Sequence, residues 1–363
     1  MRRQSSPIFG RLKLGWWSPP LPIALGSGPV FAALIATGVA TAQPTAQTPD
    51  PAVIALAPDD VPGWTQTRAA RQASWNSATV PSAPADLYTF ETEFTRDTPD
   101  GGQLLWTQAA ETSPGGIAAR FRALQQNALA QTPISLPVLG DQALGWWENV
   151  GNTRRGVAAA RLGNLSVELH VTGVRQGDDV TDSQISAWVT QMVDRASAAP
   201  DVGPPDWSRL LPGTARTAPW LVLLDRASVG GDWTQATGLQ LVSNELGGQA
   251  LSVTASRDFE LGAPYQRSLT SSATVYPSAD DAVAQGMGGP GTEIAAPPLG
   301  DQATEFKMAE SGGGREAPTV TYTVDVRRGA VVIAVQETGV VYSLDSPAET
   351  EGFATKAASL LTP

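Results

Sequence analysis

Residues Pro137–Ala143 read PVLGDQA, and residues Pro297–Ala303 read PPLGDQA. A single recurrence of this kind carries little weight, so its neighbours decide what it means. Upstream, Gly63-Trp64-Thr65-Gln66 has a counterpart in Asp232-Trp233-Thr234-Gln235, and Pro51–Leu56 has one in Pro219–Leu224. Ser113-Pro114-Gly115 and Ser278-Ala279-Asp280 each open a helical pattern. Downstream, Arg161-Leu-Gly163 and Arg327-Arg-Gly329 each precede an apolar alternating run, which Gly173 and Gly339 close. Asp182-Ser183 and Asp345-Ser346 then start the last helix of each half. The order is preserved while the offsets drift only between 160 and 169, as loop insertions would make them do. Ordered self-similarity at a long period is the mark of a duplicated architecture.

Within the first half, Leu87–Thr95 alternates apolar and polar positions and is read as a strand. Thr98–Gly102 turns the chain, and Gln103–Thr112 returns as the second arm of a hairpin. Ser113 is a helix cap with Pro114 at the first helical position, and Ile117, Phe121, Leu124 and Ala128 give that helix an apolar stripe. Strands over 143–149, 156–162 and 164–173 follow, and then a helix carrying Ile185, Trp188, Val189, Met192 and Val193. The expected class is α+β. Two tandem repeats are predicted, each an antiparallel sheet of about five strands covered by two helices in the order β-β-α-β-β-β-α. The predicted boundaries are 51–197 for the first repeat and 219–362 for the second, with a Pro-rich linker over 198–218.

The N-terminus reads differently. Arg2, Arg3, Arg11 and Lys13 precede the uncharged run Leu21–Ala42, and no acid occurs before residue 50. Ala40 and Ala42 stand at the −3 and −1 positions of a cleavage site before Gln43, so residues 1–42 are expected to be a secretory signal peptide. Residues 43–50 form a Pro/Thr-rich tether. Retention of residues 21–42 as a membrane anchor is the alternative, and it would be the chain's one expected link to a membrane. The expected location is extracytoplasmic, secreted or associated with the cell envelope.

Composition closes several routes. The 363 residues include no Cys and one His, which excludes disulfides, thiol catalysis, Cys-ligated zinc and iron–sulfur clusters. Without its first 42 residues the chain keeps 20 basic and 35 acidic residues, a net charge of −15 that repels nucleic acid. No metal site and no cofactor are expected. Acidic pairs at Asp59-Asp60, Asp178-Asp179 and Asp280-Asp281 lack calcium-loop spacing and read as turns and caps. Gly286–Gly291 and Gly312–Gly314 lack the strand–helix context of a phosphate loop.

The halves resemble bacterial extracytoplasmic sensor-like and lipoprotein-like α+β domains of the PsbP/Mog1 type. The resemblance rests on Asp60–Thr65 (DVPGWT), on LGDQA in both halves and on Arg-x-Gly before an apolar strand in both halves. It implies a non-catalytic sensing or binding module, in tandem, and assigns no site residues. The expected function is therefore an extracytoplasmic protein that binds a small molecule or an envelope partner. A carboxylate-dependent hydrolase of envelope polymers or carbohydrate, and a structural or interaction protein, are the alternatives. No catalytic residue is assigned. Trp146 and Trp147, with Arg154 and Arg155 across the hairpin, are the candidate binding residues, read against core packing with one cation–π contact. His170 shares a strand face with Ser166 and Glu168, which reads as a solvated face; a Glu-oriented imidazole is the sharper possibility.

Overall fold

Strands dominate because apolar alternation dominates, and every pairing between them is antiparallel. The computed structural model describes residues 49–75, 87–99, 101–175, 177–178, 180–199, 207–213, 217–263, 266–311 and 317–361. The first half comprises β1 (Thr65–Ser74), β2 (Leu87–Thr98), β3 (Gly101–Thr112), β4 (Thr132–Pro133), β5 (Gln142–Val150), β6 (Thr153–Leu162) and β7 (Leu165–Val174). Its helices are α1 (Pro51–Ile54), α2 (Pro114–Ala128) and α3 (Asp182–Ala198). The second half comprises β8 (Thr234–Gln235), β9 (Gln240–Leu246), β10 (Gln249–Leu261), β11 (Arg267–Val275), β12 (Thr292–Ile294), β13 (Gln302–Glu310), β14 (Thr319–Arg328) and β15 (Val331–Val340). Its helices are α4 (Arg226–Val229), α5 (Ala279–Gln285) and α6 (Ala348–Ser359).

The expected pair of separate α+β sheets, each of about five strands under two helices, is corrected by this arrangement. The strands form one 15-stranded sheet in the order β12-β13-β14-β15-β11-β10-β9-β1-β2-β3-β7-β6-β5-β4, with β8 beside β10. On the two sides of the β9–β1 junction the strand order is mirrored, yet no boundary divides the hydrogen-bonded ladder. Residues 46–363 form one compact unit.

The junction is made by the two strands whose sequences carry no clean alternation. β1 reads TQTRAARQAS and β9 reads QLVSNEL, yet Ala69–Ser74 pair with Gln240–Glu245 in continuous register. Each would be an exposed sheet edge without the other, and pairing satisfies both rows of backbone groups. Side chains then fasten the seam. Arg71 donates from Nε to Glu245 (2.7 Å) and from Nη1 to Asp50 (3.2 Å), and the Tyr88 hydroxyl donates to Asp50 (2.9 Å). Burial comes first among the causes that push the Tyr88 phenol above its ordinary range, followed by the charge of Asp50.

One face of this sheet carries the core. Tyr88, Ala73, Leu241, Ala255, Ala273, Ile333 and Val326 form a single cross-strand row through the seam, all of them buried. At one end of the face, α3 lays Ile185, Val189 and Met192 on Val167, Leu169 and Val171. At the other, α6 lays Phe353, Ala354 and Ala357 among the second-half core residues, which include Val324, Ile333 and Val335. Trp207, inside the segment read as a linker, is buried in that second core. The expectation that both helices of a half cover one apolar face is also corrected. α2 lies on the opposite face, where Ile117 and Phe121 cover Ala159, which points away from the buried Ala158 and Ala160.

Candidate functional site

The face opposite the core is polar, and α2 shapes its most elaborate part. Ser113 caps that helix by accepting from the Gly116 amide (3.2 Å), and Pro114 stands in the first turn. Ile117 and Phe121 seat it on Ala159, and Leu124 and Leu144 pack against the same cluster. Between those anchors the helix delivers Arg120 to the sheet. Arg120 donates from Nε to Glu168 Oε2 (3.0 Å) and from Nη2 to the same oxygen, and Nη2 also reaches Gln108 Oε1 (2.7 Å).

Register does the rest. In β3 and β7, Gln108 stands opposite Glu168 and Trp106 opposite His170. In β2, Glu91 stands opposite Gln108 and Glu93 opposite Trp106. Gln108 therefore donates from Nε2 to Glu91 Oε1 (2.8 Å), and His170 Nε2 lies 2.8 Å from Glu168 Oε1. Five side chains from three strands and one helix form an unbroken chain: Glu91, Gln108, Arg120, Glu168 and His170. The His170 ring meets Trp106 edge-on, with centroids 4.9 Å apart and planes at 61°.

The chain sets the protonation of its centre. Burial acts to raise the Glu168 carboxyl, but the hydrogen bond from His170 and the charge of Arg120 outweigh it and hold the group at about 2. With a permanent carboxylate accepting at Nε2, a neutral His170 carries its proton there and turns Nδ1 outward as an acceptor. The arrangement fixes an imidazole beside a half-buried indole, flanked by the half-buried carboxylates Glu91 and Glu93.

His170 and Glu168 were legible as neighbours on one strand face, but the solvated setting is corrected. Glu168 is 5% exposed, because α2 lies over it. Arg120, Gln108, Glu91 and Trp106 were missed. Their sequence signals are ordinary positions of a helix and two strands, and it takes the β2–β3 and β3–β7 registers with the seating of α2 on Ala159 to bring them together.

The four predicted binding residues fall elsewhere and do not form an exposed platform. Trp146 and Trp147 are both buried, and Trp147 Nε1 donates to Asp182 (2.7 Å) at the start of α3. Arg154 stacks on the Trp147 ring at 4.2 Å, while Arg155 pairs with Glu148 at 2.5 Å. Ala40, Ala42 and Gln43 lie outside the described residues, as does Gly312–Gly314. Among the acidic pairs, Asp60 accepts from Arg195 (2.6 Å), and Asp281 accepts from the hydroxyl of Ser278, the cap of α5 (2.6 Å). Among the described residues no group of three or more His, Cys, Asp or Glu is placed to hold a metal ion, and no helix is long and apolar enough to cross a membrane. No family model, no curated protein and no solved structure matches this chain.

Proposed function

We propose that this chain is an extracytoplasmic binding protein without chemistry of its own, and that it binds through the polar face of the sheet around Trp106 and His170. Export rests on the basic leader, the uncharged run and the Ala-Thr-Ala site before Gln43. The binding reading rests on one observation. A buried Glu168 carboxylate, paired with the half-buried Arg120, is spent on orienting a half-buried His170 against a half-buried Trp106. Burying that much charge does little for stability relative to an apolar filling. Fixed orientation of an exposed ring, by contrast, lowers the entropic cost of binding.

The test is direct. The purified chain is screened by native mass spectrometry for a co-purifying molecule, and by thermal shift against sugars, lipids and protein extracts. A ligand that raises the unfolding temperature of the native chain but not of Trp106→Ala supports the reading. Ligands that stabilise both proteins equally move the site off this face. N-terminal sequencing of exported protein is expected to begin at Gln43; a start at Met1 contradicts cleavage.

A hydrolytic reading is favoured by one specific observation, the Glu168–His170 contact at 2.8 Å, which is the orienting half of a nucleophile–base arrangement. Of the hydroxyls on that strand face, Thr172 stands two residues from His170, and Ser166, four residues away, is engaged with the Ala110 carbonyl at 3.4 Å. An ester- or glycoside-hydrolysing activity abolished by His170→Ala would decide for this second reading.

A further inference from the structure

The polar face is also acidic, and its extent identifies the kind of partner it fits. Between α2 and α5 it runs across eight strands, β7-β3-β2-β1-β9-β10-β11-β15. At the usual interstrand spacing that is about 35 Å. Among the described residues the strands of this strip present Glu91, Glu93, Asp97, Asp258 and Glu260, against Arg68, which stands opposite Glu93, and the His170 imidazole. Glu168 is balanced by Arg120. Beyond the seam the lining turns to hydroxyls, with Thr254 bonded to Thr274 (2.9 Å) and Thr270 donating to Asp258 (2.8 Å).

Two of the cavities among the described residues lie elsewhere. One, of about 570 Å³, runs along the outer side of α3 at Thr190, Gln191 and Asp194. The other, of about 190 Å³, lies at Asp301, Arg328 and Leu361. Acceptors spread over eight strands suit an extended chain or a flat surface better than a small enclosed molecule. Its chemistry is that of an acceptor. The indole of Trp106 stands directly opposite Glu93 with Glu91 one row along the same strand face, so a cation stacked on the ring would meet both carboxylates.

We propose that the strip docks a basic segment of a partner protein, with a lysine or arginine side chain seated against Trp106 beside Glu93 and Glu91. This rests on the reading of the face as a binding surface and adds the partner's charge and form. The net charge of −15 on the chain beyond residue 42 draws such a segment in from a distance, and the carboxylates beside Trp106 hold it.

The experiment titrates the purified full chain with a fluorescein-labelled lysine–serine repeat peptide, a glutamate–serine repeat and a soluble neutral glucan, reading anisotropy and tryptophan emission. The lysine peptide is expected to bind, to quench tryptophan emission and to weaken steeply with salt. Glu91→Gln/Glu93→Gln should weaken it about tenfold and Trp106→Ala several-fold. Asp59→Asn/Asp232→Asn removes the same charge at exposed sites off the strip and should weaken it no more than about twofold. Equal weakening by the two double variants overturns the proposal, since the peptide would then sense net charge alone. Trp106-dependent binding of the glucan without the lysine peptide overturns the basic partner while leaving the binding face intact. Binding of none of the three probes overturns the basic partner, and if the ligand screen on Trp106→Ala also finds nothing, the binding face falls with it.

Discussion

The two sides of the β1–β9 seam have the same strand order and opposite electrostatics. On the first side the buried acid of the polar face, Glu168, has Arg120 and His170 as partners, and its carboxyl is held at about 2. On the second side the residue beside the corresponding strand position is Ala334, and the buried acid has moved one strand over to Asp325. Among the described residues no cation pairs with Asp325; burial pushes it up to about 6 against a backbone hydrogen bond from Gly288. Glu305, on the core face of β13, is fully buried with a second carboxyl, Glu351, beside it. Burial first, then the neighbouring carboxyl of Glu351, push it up to about 7. The first side therefore holds a charge it has compensated, and the second holds two that it has not. Architecture alone does not decide whether a buried carboxylate is ionised; the partner does.

The signs follow. Glu168 is lowered from 4.5 in the folded chain, so its contribution is full above that value and is lost as pH falls toward 2. Asp325 is raised from 3.8 and Glu305 from 4.5, so the folded state is favoured by acid. The stability they allow declines as pH rises through about 4 to 6 for Asp325 and about 4.5 to 7 for Glu305.

The largest expected effect lies where the second side does compensate. Arg267 is buried against Glu337 and also reaches Glu349 at 2.7 Å. Arg267→Ala strands the fully buried Glu337 and is expected to cost about 3–5 kcal/mol in urea unfolding. At the matching register position of β3 stands neutral Gln103, which donates to Asp178 (2.7 Å), and Gln103→Ala is expected to cost about 1 kcal/mol. Equal losses would break the contrast.

Next comes Arg120→Ala. Its side chain is 37% exposed, so the expected cost is about 2 kcal/mol, below that of a fully buried pair. The same variant should move the acid limb of the stability curve to higher pH, because Glu168 loses a cation. An unmoved acid limb would mean that Arg120 does not set the Glu168 charge.

Asp325→Asn works in the other direction. It should stabilise the chain by about 2 kcal/mol at pH 8 and by nothing measurable at pH 4, removing one of the two alkaline losses. Destabilisation at pH 8 would contradict an uncompensated charge at that site. The smallest effect is expected from Arg154→Ala, about 0.5–1 kcal/mol, since its guanidinium only stacks on Trp147 at 4.2 Å.

Most strands and the four longer helices were legible because burial on a strand or helix face writes a period into the sequence. Leu165, Val167, Leu169 and Val171 show it in β7, and Ile185, Val189 and Met192 in α3. The seam was not legible. Ala69, Ala70 and Ala73 are buried, but alanine carries too little hydrophobic contrast beside Arg68, Arg71 and Gln72 to mark a strand. Missing β1 and β9 turned one sheet into two. The candidate site was half legible: Glu168 and His170 share a face by period alone, while Arg120 and Gln108 join them through the pairing of β3 with β7 across an intervening helix and three strands. Trp146 and Trp147 were singled out by residue type, and their neighbours bury both.

The central claim is that β1 and β9 make one sheet, and with it one continuous polar face. The natural absence of cysteine makes a clean test available. Gln72 and Val242 are cross-strand partners on that face, whereas Gln72 and Asn244 are out of register. In Gln72→Cys/Val242→Cys, mild air oxidation should join the two positions nearly completely, as read by intact-mass and peptide mass spectrometry, while Gln72→Cys/Asn244→Cys should remain largely reduced. Failure of the first pair to close, or equal closure of both, would contradict the seam and the face built upon it.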